Sequence, residues 1–238
     1  VERLVQQTVM RLLNERWASF QPKLQAWLAE IEATPTESGR VRLQSFVDSQ
    51  IEAFVREQVL SLRICDMAMG SGHFLVHTAY AVTNFVLQVL SSTPWDNPAI
   101  NLDANYWRRL VVENCLYGVD INGMATELAK LSLWLATMQA GRPLSFLDHH
   151  LKRGNSLMGA RLDEITKVLT QSDLNKETRT TKAAEARGQY AFREMPQVMQ
   201  RIGEANQLLC KIASQVVDRA EDIAQQEDYY DAVQELLV

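Results

Sequence analysis

The sequence predicts an α/β fold built on a parallel sheet, with helical segments before and after it. Three observations carry this. Short apolar runs ending in an acid occur at Val59–Asp66 and at Cys115–Asp120. Each is followed by a turn and then by apolar residues recurring at threes and fours, the helical period. A third short element, about Phe146 to Asn155, follows the second helix. Strands alternating with helices imply parallel pairing, because a parallel neighbour is reached only through a crossover connection.

The elements follow in order. Residues 1–32 read as helix, through Leu4, Val5, Val9, Leu12, Leu13, Trp17, Leu24, Trp27, Leu28 and Ile31, with Pro22 expected to break it. Residues 33–40 have a loop composition. A helix is expected from about Leu43 to Val59, then a strand at 61–66, then a helix to about Leu90. Residues 91–101, with Pro94 and Pro98, read as a loop. Asp103 is a candidate cap for a helix to about Asn114. The strand 115–120 leads through Ile121-Asn122-Gly123 into a Leu- and Ala-rich helix, Met124 to Met138, expected to pack on the sheet and to stop at Gly141-Arg142-Pro143. From Ala160 the strand pattern ends. Two or more long amphipathic helices are expected there, with a polar, flexible stretch at 172–189.

Composition bounds the function. A chain of 238 residues holds one large domain, or a domain and an appendage. No apolar run approaches the roughly 20 residues of a membrane-spanning helix, and charged residues interrupt the N-terminus where a signal peptide would be apolar. Cys65, Cys115 and Cys210 are isolated and odd in number, which predicts buried, reduced thiols in a cytoplasmic protein. The formal net charge of −5 argues against strong nucleic-acid binding by this chain alone.

The chemistry concentrates in Ile64-Cys-Asp-Met-Ala-Met-Gly-Ser-Gly-His-Phe74. Gly70 and Gly72 leave room for a ligand to approach the backbone, and amides at the start of the following helix can donate to an anionic group. Asp66 is placed to meet an amine, and Asp120 to take both hydroxyls of a ribose at the carboxyl end of the next strand. The dinucleotide fingerprint needs a glycine where Leu75 stands and an acid about 20 residues on. The P-loop needs a Lys-Ser/Thr pair where His73-Phe74 stands. A ligand with an amine, a carboxylate and a ribose is S-adenosylmethionine. His73 and His77 have a metal-compatible spacing without a third ligand in register, and His149-His150 reads as a surface or sheet-end pair.

Asp66 to Val76 resembles the Asp-Pro-Ala-x-Gly-Ser-Gly-x-Phe-Leu motif of N6-adenine DNA methyltransferases. Leu116-Tyr-Gly-Val-Asp-Ile-Asn122, with Glu127 to Leu135, is similar to that family's second motif, and Leu144 to Leu151 with Gly154-Asn-Ser-Leu157 to its third. The closest resemblance is to the methyltransferase region of type II restriction-modification enzymes that carry both activities on one chain. The resemblance implies a Rossmann-like, S-adenosylmethionine-dependent fold. Its parts would be an N-terminal helical segment (1–60), a cofactor-binding α/β half (61–159) and a helical insertion (160–238). It implies that Asp66, Ala68, Gly70, Ser71, Gly72 and Phe74 wrap the methionine moiety. Asp120 would hold the ribose, Ile121 would lie on the adenine, and Asn155 and Ser156 would line the adenine pocket.

Met67 and Gly123 stand where the family has prolines, and no Pro-Pro pair of the catalytic Asn/Asp-Pro-Pro-Tyr/Phe motif occurs. The expectation is therefore the N-terminal, cofactor-binding half of a methyltransferase module, with no catalytic residue of its own, inactive alone and reaching DNA through other parts of its parent. A non-catalytic nucleotide-binding or interaction module with a helical, partner-docking tail is the alternative. In the family the first strand pairs with the fourth. Strand 61–66 is therefore expected to be an exposed edge, prone to self-association or covered by the tail helices.

Overall fold

The computed structural model describes residues 1–138, 147–157, 200–201, 203–205, 207–208, 210–212 and 220–237. The chain forms two compact units, Val1–Asn155 and Ser156–Val238.

The first unit begins with α1 (Glu2–Val5), a π-helical turn (Gln6–Met10) and α2 (Arg11–Ala33). Pro22 does not break α2. An interior proline costs roughly 3 kcal/mol, but Leu24 and Ile31 beyond it are buried, and full burial of each such side chain returns about 1.5–3 kcal/mol. Trp17, Phe20, Phe54, Trp27 and Phe46 form a chain of ring contacts on either side of the proline. Pro22 itself is exposed, so water can reach the carbonyl it leaves free.

The expected loop at 33–40 is shorter, because α3 spans Glu37–Phe54. The Arg40 amide donates to the Thr36 carbonyl at 3.0 Å and its guanidinium to the Thr34 carbonyl at 2.7 Å, so Glu37–Arg40 close a helical turn despite their loop composition. A second π-helical turn, Val55–Val59, extends α3. The helix therefore ends at Val59 as its spacing predicts, whereas β1 is only Ile64–Asp66, shorter than the expected 61–66. Val55 and Val59 are buried. The junction is held by Arg63, which donates to Asn114 O at 2.8 Å, and by the Cys115 thiol at 3.6 Å from the carbonyls of Val59 and Leu60. Burial pushes the Cys115 thiol up to about 12, so it stays a donor.

The rest of the unit is α4 (His73–Leu90), α5 (Ala104–Cys115), β2 (Leu116–Asp120), α6 (Gly123–Thr137) and β3 (Leu151–Arg153). Asp103 caps α5 by accepting from the Asn105 amide, and Asn122 caps α6 by accepting from Met124. The three strands are parallel in the order β1-β2-β3, with Ile64 opposite Leu116 and Gly118 opposite Leu151. Among the described strands β1 has one neighbour, β2. The core sits around α4, whose Leu75, Ala79, Val82, Phe85, Val86 and Val89 are buried. The loop between α4 and α5 is tied down by buried Asp48 of α3, which accepts from Trp95 Nε1 at 3.2 Å and Asn97 Nδ2 at 2.6 Å.

Helix α6 buries one face, through Ala129, Leu133 and Ala136, while Met124, Leu128, Leu131, Leu135 and Met138 are exposed along the other. The Leu-rich pattern therefore overstates its packing on the sheet. Cys65 and Cys210 are exposed, and only Cys115 is buried as expected. For Cys65 the cause is its place on the short strand β1, pointing to the face opposite Ile64 and Asp66.

In the second unit a helix spans Ala220–Leu237. Ala205, Ile212 and Val233 are buried, and buried Gln226 donates to the Ile212 carbonyl at 3.1 Å. The expected stop at Gly141-Arg142-Pro143 and the polar stretch 172–189 lie outside the described residues. Among the described residues no helix is long and apolar enough to cross a membrane.

Candidate functional site

The parallel sheet places its carboxyl ends together, and the connection from β1 to α4 crosses them. Asp66 ends β1 and accepts from the Ala68 amide at 3.1 Å, which bends the chain out of the strand. Met69 turns inward. Its amide donates to the Val119 carbonyl of β2 at 3.1 Å, and its carbonyl accepts from the Gly72 amide at 2.8 Å. Gly70 and Gly72 have φ of 54° and 77°, the left-handed region that favours glycine. A Cβ at Gly70 would meet nothing within 4 Å, so that turn faces open space. A Cβ at Gly72 would lie 3.1 Å from the Ala129 Cβ of α6. Ser71 and His73 are exposed and Phe74 is half-buried in the first turn of α4. The rings of His73 and His77 meet edge to face at 4.6 Å.

Asp120 joins the strand ends. Its Oδ2 accepts from the Gly70 amide at 2.9 Å and its Oδ1 from the Asn122 amide at 2.8 Å. These two bonds, Asn122 first, hold its carboxyl below the ordinary carboxylate range. A carboxylate has about four acceptor positions, so two remain for a ligand. Its carbonyl accepts from the Gly154 amide at 2.9 Å, which brings the residue before Asn155 to the end of β2. Ile121 and Met124, 67% and 73% exposed, stand beside it. Asn155 is exposed two residues beyond β3, and Ser156, also exposed, begins the second unit.

Asp66, Ala68, Gly70, Gly72, Asp120 and Ile121 thus line one rim, with Asn155 following Gly154 onto it. Sequence patterns missed what supports that rim from below. Gly118, in mid-strand, has no side chain where Met69 packs, and an added Cβ would overlap the Met69 sulfur. A glycine inside a strand is the available signal of such a close approach. Lys130 of α6 pairs with Glu127 at 2.8 Å and with Asp148, tying α6 to the approach to β3. Burial opposes its charge, but the two acids hold its pKa above the ordinary value.

Of the surface and sheet-end readings of His149-His150, the second holds for His150, which is buried just before β3 with its carbonyl accepting from the Gly118 amide at 3.0 Å. Its Nδ1 donates to the Leu116 carbonyl at 2.7 Å, and its ring stacks on Tyr117 at 4.2 Å. Burial, with the nearby Arg63 charge, pushes His150 down to about 4. Burial and the neighbouring His150 and Lys152 push His149 down to about 3.

Comparison with known proteins places the chain in a family. The family described as MmeI, DNA-methyltransferase domain, matches residues 44–168, and that described as Eco57I restriction-modification methylase matches residues 114–233. A Methanocaldococcus jannaschii protein named as a type II restriction enzyme and methyltransferase is 32% identical over 133 residues. The match covers 52% of this chain and 11% of that relative, so the chain spans a small part of the relative's length. No solved structure matches the chain. The glycine turn lies within the first family match and the Asp120 strand end within both. The chain belongs to the DNA methyltransferases of restriction-modification systems.

Proposed function

We propose that the first unit holds S-adenosylmethionine on the rim formed by Asp66–Phe74, Asp120–Ile121 and Asn155, as the cofactor-binding half of a Rossmann-like adenine-N6 DNA methyltransferase. The observation that carries this is the Gly70–Asp120 pairing, which sets a glycine turn and a strand-end acid side by side. The residues fit the group. Gly70 opens onto free space, Asp120 keeps two acceptor positions for a ribose, and exposed Ile121 and Met124 offer apolar surface to an adenine. Asp66 supplies a carboxylate for an amine, and the first amides of α4 donate to a carboxylate.

Bound there, S-adenosylmethionine supplies an electrophilic methyl group. This chain's residues hold and orient it. The adenine-N6 assignment rests on the resemblance of the three motifs. The sequence has no Pro-Pro pair, so gripping a flipped base falls to other parts of the parent protein, and the chain alone is expected not to methylate DNA. The parent's DNA contacts are likewise proposed to lie outside this chain. Among the described residues β1 pairs with β2 alone, and its other side is proposed as an edge for further chain or a second copy. A cytoplasmic location fits the family and the unpaired cysteines.

Photo-crosslinking with radiolabelled S-adenosylmethionine, followed by peptide mapping, tests the assignment. Label is expected in peptides covering 66–74 and 117–124. Label confined to other peptides would remove the rim from the reaction.

A further inference from the structure

We propose that Met69 and Gly118 are a size-matched pair that sets the height of the glycine turn over the sheet, and so act as positioning residues for the cofactor. The inference rests on the cofactor assignment of that turn. Met69 is the one residue of the turn whose side chain goes down into the core. It is 4% exposed, between exposed Ala68 and half-buried Gly70.

Its backbone is fastened at both polar atoms, the amide to Val119 and the carbonyl to the Gly72 amide. Its thioether occupies the space above Gly118 that any larger residue would fill. The space has no slack. A Cβ at Gly118 would also stand 3.1 Å from Leu75 Cδ1 and 3.2 Å from Leu151 Cδ2. Leu75 of α4 and Leu151 of β3 crowd the same Cβ position, and Met69 is itself 4% exposed, so the thioether has packed neighbours rather than open space to move into.

The residue that must yield is then Met69 itself. It carries Gly70 and Gly72 with it, since Gly70 follows it directly and the Gly72 amide is bonded to its carbonyl. A change on the sheet, two residues from Asp120, thus moves the amides on the rim. No ligand contact by either Met69 or Gly118 is needed for this effect, which separates positioning from binding.

The test is a compensating pair in the 238-residue chain, Gly118→Ala and Gly118→Ala with Met69→Ala. It is read by amide resonances of Gly70, Ser71 and Gly72 without ligand, and by S-adenosylmethionine affinity. Gly118→Ala is expected to shift all three amides and to raise Kd tenfold or more. Removing the thioether in the same chain is expected to return the amides towards their original positions and Kd to within about threefold of the unaltered protein.

Original amide positions and affinity in Gly118→Ala would overturn the pairing, as would a double variant no better than the single. Should Gly118→Ala fail to fold, the double variant must fold, and a double that does not also overturns it. Absence of saturable binding by the unaltered chain would count against the cofactor assignment alone, because the amide shifts still decide the pairing.

Discussion

The amide of Gly70 donates to Oδ2 of Asp120 at 2.9 Å across 50 residues of sequence. One carboxylate thereby fixes the glycine turn and, through Asn122 at 2.8 Å, the start of α6. The turn is built before any ligand arrives, so a ligand meets amides and acid already in place.

Asp120→Ala removes the partner of the Gly70 amide together with the proposed ribose acceptor. Calorimetry is expected to show Kd for S-adenosylmethionine rising at least tenfold, and hydrogen exchange at Gly70 to accelerate. Because its carboxyl is held below the ordinary range, its contribution is complete above that range and is lost as pH falls through the lowered value. Affinity that stays at the original value in Asp120→Ala would take this residue out of the site.

The two glycines of the turn should part company. Gly72→Ala forces a side chain into left-handed backbone, a cost of roughly 1–2 kcal/mol, and crowds Ala129 at 3.1 Å, so thermal unfolding should move down clearly. Gly70→Ala meets no neighbour and should lose roughly 1–2 kcal/mol from strain alone, while placing a methyl group where the proposed ligand would approach. Its loss of affinity should therefore exceed its loss of stability, as paired melting and titration experiments would show.

His149 and His150 should make the fold acid-sensitive. Both are held neutral by burial, at about 3 and about 4, whereas in the unfolded chain a histidine takes up its proton near 6.5. Between those values the unfolded state binds more protons, so stability rises with pH there and is complete above about 6.5. His150→Asn, which keeps a donor for the Leu116 carbonyl, is expected to lessen the slope of urea midpoint against pH between about 4 and 6.5. An unchanged slope would show that His150 titrates normally.

Asp48→Ala should loosen the loop between α4 and α5. It strands the Trp95 and Asn97 donors in a partly buried setting, and unpaired buried donors cost roughly 1–3 kcal/mol. Chemical denaturation should report that loss, with a change in Trp95 fluorescence, and an unaltered midpoint would contradict the tie.

Much of the first unit was legible because its signals are local. The cap at Asp103, the turn at Ile121-Asn122-Gly123, the period of α4 and the acids closing β1 and β2 each declare themselves within a few residues. What was not legible depends on distant contacts. Pro22 reads as a break until the aromatic packing around it is seen. The proposed rim residues could be named from their motif resemblance, but their support could not. Met69 looks like any turn residue until Gly118 is placed beneath it, and His150 reads as either a surface or a sheet-end residue until the Leu116 carbonyl and Tyr117 ring are set against it.

Calorimetric titration of the chain with S-adenosylmethionine, with a nicotinamide dinucleotide as control, tests most directly whether the rim of the first unit is a formed cofactor site. Saturable binding of one S-adenosylmethionine per chain, and none of the dinucleotide, is the expected result. No saturable heat with S-adenosylmethionine, or equal binding of the dinucleotide, would contradict it.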